Sequence, residues 1–190
     1  AEVLVSYQSE VDVAKNVSKA DEKRARLRQQ FWPNEDLWTG QDEIGWFAAP
    51  RTLPFVMQVL RSKHMGGGKD PSNVYLELWA RLMGGGLIEM EPEGVHAFYA
   101  GYVGSRGVRT WQERMRVLEE NGFIKAESRG NLRYGYVSLV HPTTVMQRLH
   151  EAGKIDDGLW KNYCVRQSET GAPSDADRQK TNARKNLTVD

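Results

Sequence analysis

The stretch SRGVRTWQERMR, residues 105–116, gathers Arg106, Arg109, Thr110, Gln112, Glu113 and Arg116 within three helical turns. Arginine and glutamine can make paired hydrogen bonds to guanine and adenine edges, and threonine can touch the thymine methyl. Glu113 can accept from a cytosine amino group or orient Arg109, four residues before it. Carried on one outward helix face, these side chains would read bases. A second set, Arg129, Asn131 and Arg133, lies at or near a turn and could reach phosphates or the adjacent minor groove. Between Gly104 and Val140 there are seven Lys/Arg and four acids, a local excess of +3 against +1 for the whole chain. Any polyanion footprint is therefore local, because the molecule as a whole is not a polycation.

Other chemistry finds little support. GSRG around Ser105 is no nucleophile elbow, since Val103 stands two residues before the serine. The loop GGGKDP fails as a phosphate-binding loop: Lys63 sits where the first glycine is required, and Asp70 replaces the serine or threonine. It reads as a connection. Gly101, Gly104 and Gly107 are spaced for tight turns. His64, His96, His141 and His150 are scattered without ligand spacing and read as surface or partly packed residues. Glu89, Glu91 and Glu93 alternate near a strand without other ligands. The single cysteine, Cys164, lies near Trp160 and Tyr163 and reads as packing; it excludes an internal disulfide framework. No catalytic residue, metal or cofactor is expected, and the chain is expected not to be an enzyme. No apolar run approaches the roughly 20 residues of a membrane helix, and the first residues lack the pattern of a secretory signal, so a cytoplasmic protein is expected.

The elements that must hold these residues follow from periodicity. Residues 1–9 read as an arm or edge strand. Residues 10–31 read as one helix with Val13, Val17, Ala20, Leu27 and Phe31 roughly on one face, ended by Pro33. The segment WPNEDLWTGQDEIGWFAAP, 32–50, sets Trp32, Trp38, Trp46 and Phe47 among four acids. It reads as irregular chain pinned by its aromatics or, more pointedly, as a protein-contact patch. A helix is predicted over 50–65, then one from Ser72 to Met83, a very short strand at 87–90 and a short helix over 92–102. A turn at 104–107 leads into a longer helix over 108–120, whose Val108, Trp111, Met115 and Leu118 form one apolar stripe. That stripe turns Arg109, Thr110, Glu113 and Arg116 outward. Asn121-Gly122 suits a left-handed helix end. Strands follow at 123–128 and 134–140 around a turn at 129–133, then helices from Pro142 to about Ala152 and from Asp156 to about Gln167. From Ser168 the chain is polar without a periodic apolar face and reads as a flexible tail.

The order helix, short strand, short helix, turn, longer helix and hairpin, from Ser72 to Val140, resembles a winged helix-turn-helix domain. The segment LEENGFIKAESRGNLRYGYVSLV carries most of that likeness, and residues 32–65 are similar to hypothetical proteins of bacterial plasmids and integrative elements. The expected fold is mainly α with a small β-hairpin, an α+β chain with a winged core at 51–167. An N-terminal arm, helix and Trp-rich segment would occupy 1–50, and a polar tail 168–190. The resemblance implies sequence-specific binding of double-stranded DNA, by a transcriptional regulator or a replication or partition factor. Arg106, Arg109, Thr110 and Glu113 would lie nearest the bases, Gln112 at the flank, and Arg129, Asn131 and Arg133 on a wing. A homodimer is the expected form. The competing expectation is an adaptor in a multi-subunit assembly, contacting a partner through Trp32, Trp38 and Trp46.

Overall fold

The structure is a computed structural model that describes residues 19–38 and 44–186. The chain divides into two units, residues 1–44 and 45–190. In the first, helix α1 spans Lys19–Phe31 with Asp21 and Glu22 in its first turn and Arg28 in its last, the polarity the helix dipole favours. It buries none of its residues. Trp32 follows it and meets Phe31 edge to face at 5.6 Å. The expected arm at 1–9, the earlier part of the predicted helix with Val13 and Val17, and residues 39–43 lie outside the described residues.

In the second unit, the predicted helix over 50–65 is two helices. Helix α2, Leu53–Arg61, buries Leu53, Val56, Met57, Val59 and Leu60. At Ser62 the backbone turns extended, and α3, Lys63–Gly66, makes a single turn. The break places Met65 in the core, and its carbonyl accepts from Asn121 Nδ2 at 3.0 Å. Helix α4, Ser72–Arg81, buries Val74, Tyr75 and Leu78 and ends at an extended Leu82. Strand β1 is Ile88–Glu89 and α5 is Glu93–Tyr99. Helix α6, Gly107–Glu120, buries Trp111, Met115, Val117 and Leu118. It stops where Gly122 takes φ +76, with Phe123 N–H donating to the Leu118 carbonyl at 2.9 Å, a left-handed helix end.

Strands β2, Ile124–Arg129, and β3, Leu132–Leu139, form the predicted hairpin, and β1 adds a third strand. The sheet is antiparallel in the order β1-β3-β2, with Ile88 opposite Val137 on one side and Ala126 opposite Val137 on the other. A bulge falls between Glu127 and Arg129. Gly135 is required beneath it, because a Cβ there would overlap the Arg129 backbone. Helices α7, Pro142–Glu151, and α8, Asp157–Glu169, follow as predicted.

The segment expected as a polar tail carries a further helix, α9, Asp175–Asn186. Ser174 and Asp177 cap its start reciprocally: Asp177 N–H donates to Ser174 Oγ at 3.2 Å, and Ser174 N–H donates to Asp177 Oδ2 at 3.3 Å. Thr144 Oγ1 on α7 donates to Asp175 at 2.5 Å, and Gln167 Nε2 donates to the Pro173 carbonyl at 2.8 Å. The unit is thus helical with a small antiparallel sheet. One core runs through it, with Trp111 edge to face on Tyr134 at 5.8 Å and Tyr75 on Phe123 at 5.4 Å. Among the described residues no helix is long and apolar enough to cross a membrane.

Candidate nucleic-acid interface

The outward face of α6 is fixed by what the helix buries. Trp111, Met115 and Leu118 are fully enclosed, so residues roughly opposite them on the wheel must face solvent. Val108, expected in that stripe, is instead partly exposed at 37%; Val117, on a flank of the helix outside the stripe, is buried beside Gly66. The helix enters from a tight turn at Gly104-Ser105-Arg106. Gly107 is required there, because a Cβ would run into the Tyr102 carbonyl.

Arg106 sits at the N-cap, exposed, and makes no ion pair among the described residues. Arg109 is 82% exposed, with Nε 3.5 Å from Glu113 Oε1. Arg116 is exposed, also without an ion pair among the described residues. Thr110 is half-buried beside Arg109. Glu113 is ringed by cations: Lys69 Nζ at 3.6 Å, Arg109 at 3.5 Å and Arg114 at 3.6 Å. Lys69 foremost, these hold the Glu113 carboxyl below the usual carboxylate range. Lys69, from the triglycine loop, therefore borders the same face. Gln112 differs from expectation: its Nε2 donates to Glu93 Oε2 at 2.6 Å, clipping α6 to α5.

The hairpin tip is a two-residue turn, Gly130-Asn131, with Gly130 at φ +59 and Asn131 exposed. Arg133 is exposed, 3.4 Å from Glu119 Oε2, with its guanidinium over the Tyr134 ring at 5.2 Å. Arg129 does not extend from the tip. Its guanidinium turns back onto β1, pairing with Glu89 and donating to the Met90 carbonyl at 2.5 Å, over the Tyr136 ring at 5.5 Å. The fold thus brings Arg106, Arg109, Thr110, Glu113 and Arg116 onto one helix and Asn131 and Arg133 to the hairpin, while Gln112 and Arg129 serve packing contacts.

Two further expectations are corrected. His96 is not a surface residue; it is fully buried and stacked on Trp111 at 5.7 Å. Its Nε2 accepts from the Glu91 backbone N–H at 3.0 Å, which leaves Nδ1–H to donate to Glu77 Oε1 at 3.0 Å. The same Glu77 oxygen takes Arg81, which also reaches Glu91 at 2.6 Å. The signal for this network lay in α4, where Glu77 interrupts the apolar run Val74, Tyr75, Leu78. The Trp-rich segment is also not pinned by its indoles, since Trp32, Trp38 and Trp46 are all more than half exposed.

No protein-family model, curated protein or solved structure matches the chain.

Proposed function

We propose that the chain binds double-stranded DNA sequence-specifically, as a transcriptional regulator or a replication or partition factor of a bacterium or mobile element. The observation that carries this reading is the outward face of α6, where Arg106, Arg109 and Arg116 stand in solvent because Trp111, Met115 and Leu118 anchor the other side. The order α4, β1, α5, α6, β2, β3 with the sheet order β1-β3-β2 suits a winged helix-turn-helix core. Docked in that manner, the first turns of α6 enter the major groove, and Asn131 and Arg133 lie along the backbone beside it. A homodimer would present two such helices to a two-fold site.

The test is selection of bound sequences from a random duplex pool at near-physiological salt, followed by gel-shift titration. The reading expects a recovered motif and an affinity falling with salt at a slope of about −0.9 per phosphate contacted. Recovery of no motif overturns it. One observation favours a second reading, a winged adaptor in a protein assembly: the three exposed indoles Trp32, Trp38 and Trp46, of a type enriched where partners bind. An adaptor would hold its protein partner unchanged in the presence of competing DNA.

A further inference from the structure

The chain from Met65 to Asp70 runs alongside α6 in the opposite direction. The Met65 carbonyl accepts from Asn121 Nδ2 at 3.0 Å, and Gly66 lies beside Val117. Lys69 Nζ then stands 3.6 Å from Glu113 Oε2, and the Tyr102 hydroxyl, ahead of the helix, donates to the Asp70 carbonyl at 3.3 Å. Glu113, Val117 and Asn121 follow one another at four-residue steps, so they share one side of α6. The other side belongs to the hairpin and α5: Glu119 meets Arg133, and Gln112 meets Glu93. The outward Arg109 and Arg116 therefore lie between two borders, the hairpin on one and the triglycine loop on the other.

Cations outweigh anions on the loop border. Lys69, Arg109 and Arg114 surround the single carboxylate of Glu113. Asp70 does not offset them, because its carboxylate is turned to the Arg61 guanidinium at 3.9 Å and the Ser72 N–H at 2.8 Å. Arg114 is mostly buried, with its guanidinium 6.0 Å from the centre of the Tyr102 ring. Lys69 keeps half of its side chain in solvent, on a flexible four-carbon stem.

We propose that Lys69 contacts a phosphate of the duplex strand on the side of the groove away from the hairpin, so that the interface grips both backbones. This rests on the DNA reading. A helix in the major groove lies between two phosphate strands; the hairpin borders one, and the loop carries Lys69 to the other. The ammonium leaves the Glu113 carboxylate, which keeps Arg109 and Arg114, and takes a phosphate oxygen, releasing a counterion from the DNA.

Gel-shift titration of the full chain over a range of salt, against the selected duplex and a scrambled one, tests this. Lys69→Ala should weaken both duplexes alike and reduce the salt slope by about 0.9, and Lys69→Arg should keep the slope. Lys69 is exposed, so its removal should leave the circular dichroism melt unchanged. Were Lys69 only masking Glu113, Lys69→Ala would have no effect in a Glu113→Gln background; a phosphate contact loses the same slope there. Lys154, whose Nζ donates to Asn121 Oδ1 at 3.4 Å, sits about 12 Å farther along α6, and Lys154→Ala should leave the slope unchanged. An unchanged slope in Lys69→Ala, a loss that Glu113→Gln erases, or an equal loss in Lys154→Ala each overturns this proposal alone. Absence of duplex binding by the unaltered chain overturns the DNA reading and this proposal together.

Discussion

Arg109 and Arg116 stand away from the core on α6, so removing either side chain leaves the fold intact and tests only the proposed contact with DNA. Arg109→Ala or Arg116→Ala should weaken a selected duplex by about 1–3 kcal/mol and relax preference at one base pair, read by gel-shift titration at fixed salt. Unchanged affinity in both would remove this face from the interface. Trp111 is the opposite case. It is fully enclosed by Tyr134 and His96, and Trp111→Ala should lower stability by about 3–5 kcal/mol in chemical denaturation. His141 supplies a pH dependence. Its Nδ1 accepts from the Thr143 N–H at 3.2 Å to cap α7. Burial foremost, then the Arg178 guanidinium, push its imidazole from 6.5 down to about 4, against the pull of Asp175. The folded chain therefore takes up this proton less readily than the unfolded chain, and the stability His141 contributes is full above 6.5 and is lost as pH falls toward about 4. His141 is half-buried, and solvent screening holds the loss to about 1 kcal/mol. His141→Asn keeps an acceptor at the cap and should flatten that part of a melting-temperature profile; an unchanged acid limb would remove His141 as its source.

At the scale of elements, α6 was legible because Trp111, Met115 and Leu118 repeat at helical spacing, and the hairpin because Asn121-Gly122 and Gly130-Asn131 punctuate it. What the sequence left hidden depends on contacts between distant residues. The short strand at 87–90 was legible, but its place beside β3, through pairing of Ile88 with Val137, is announced by no local pattern. The break at Ser62 carries neither proline nor glycine. Helix α9 has almost no apolar face, and its one written sign, Ser174 followed by Asp177, is a capping box in a polar run. Arg129 was assigned to the tip by spacing alone, whereas the bulge and Glu89 draw it back to β1. The two hairpin arginines therefore part ways. Arg129→Ala should lower stability by about 1 kcal/mol through the lost tie to β1 and leave the salt slope of DNA binding unchanged. Arg133→Ala should leave stability nearly unchanged and reduce that slope by about 0.9. A slope reduced by Arg129→Ala alone would return that residue to the interface.

At the scale of the molecule, residues 45–190 form a compact unit with its own core, and α1 in the preceding unit buries nothing. A chain beginning at Gly45 should melt cooperatively within a few degrees of the full chain, checked by circular dichroism. A collapse of the transition would mean that the earlier residues complete the core. Residues 45–190 carry 20 Lys/Arg against 16 acids, a net +4, whereas residues 1–44 carry 6 against 9, a net −3, so the shortened chain should hold duplex DNA at least as tightly. The uneven wetting of the six indoles also gives the molecule an optical signature. Trp111 is sealed from collisional quenchers, whereas Trp32, Trp38 and Trp46 emit from water. A protein seated on these exposed indoles would shift their emission to the blue and shield them from acrylamide, while the sealed Trp111 would emit as before, so one quenching titration tests the adaptor reading.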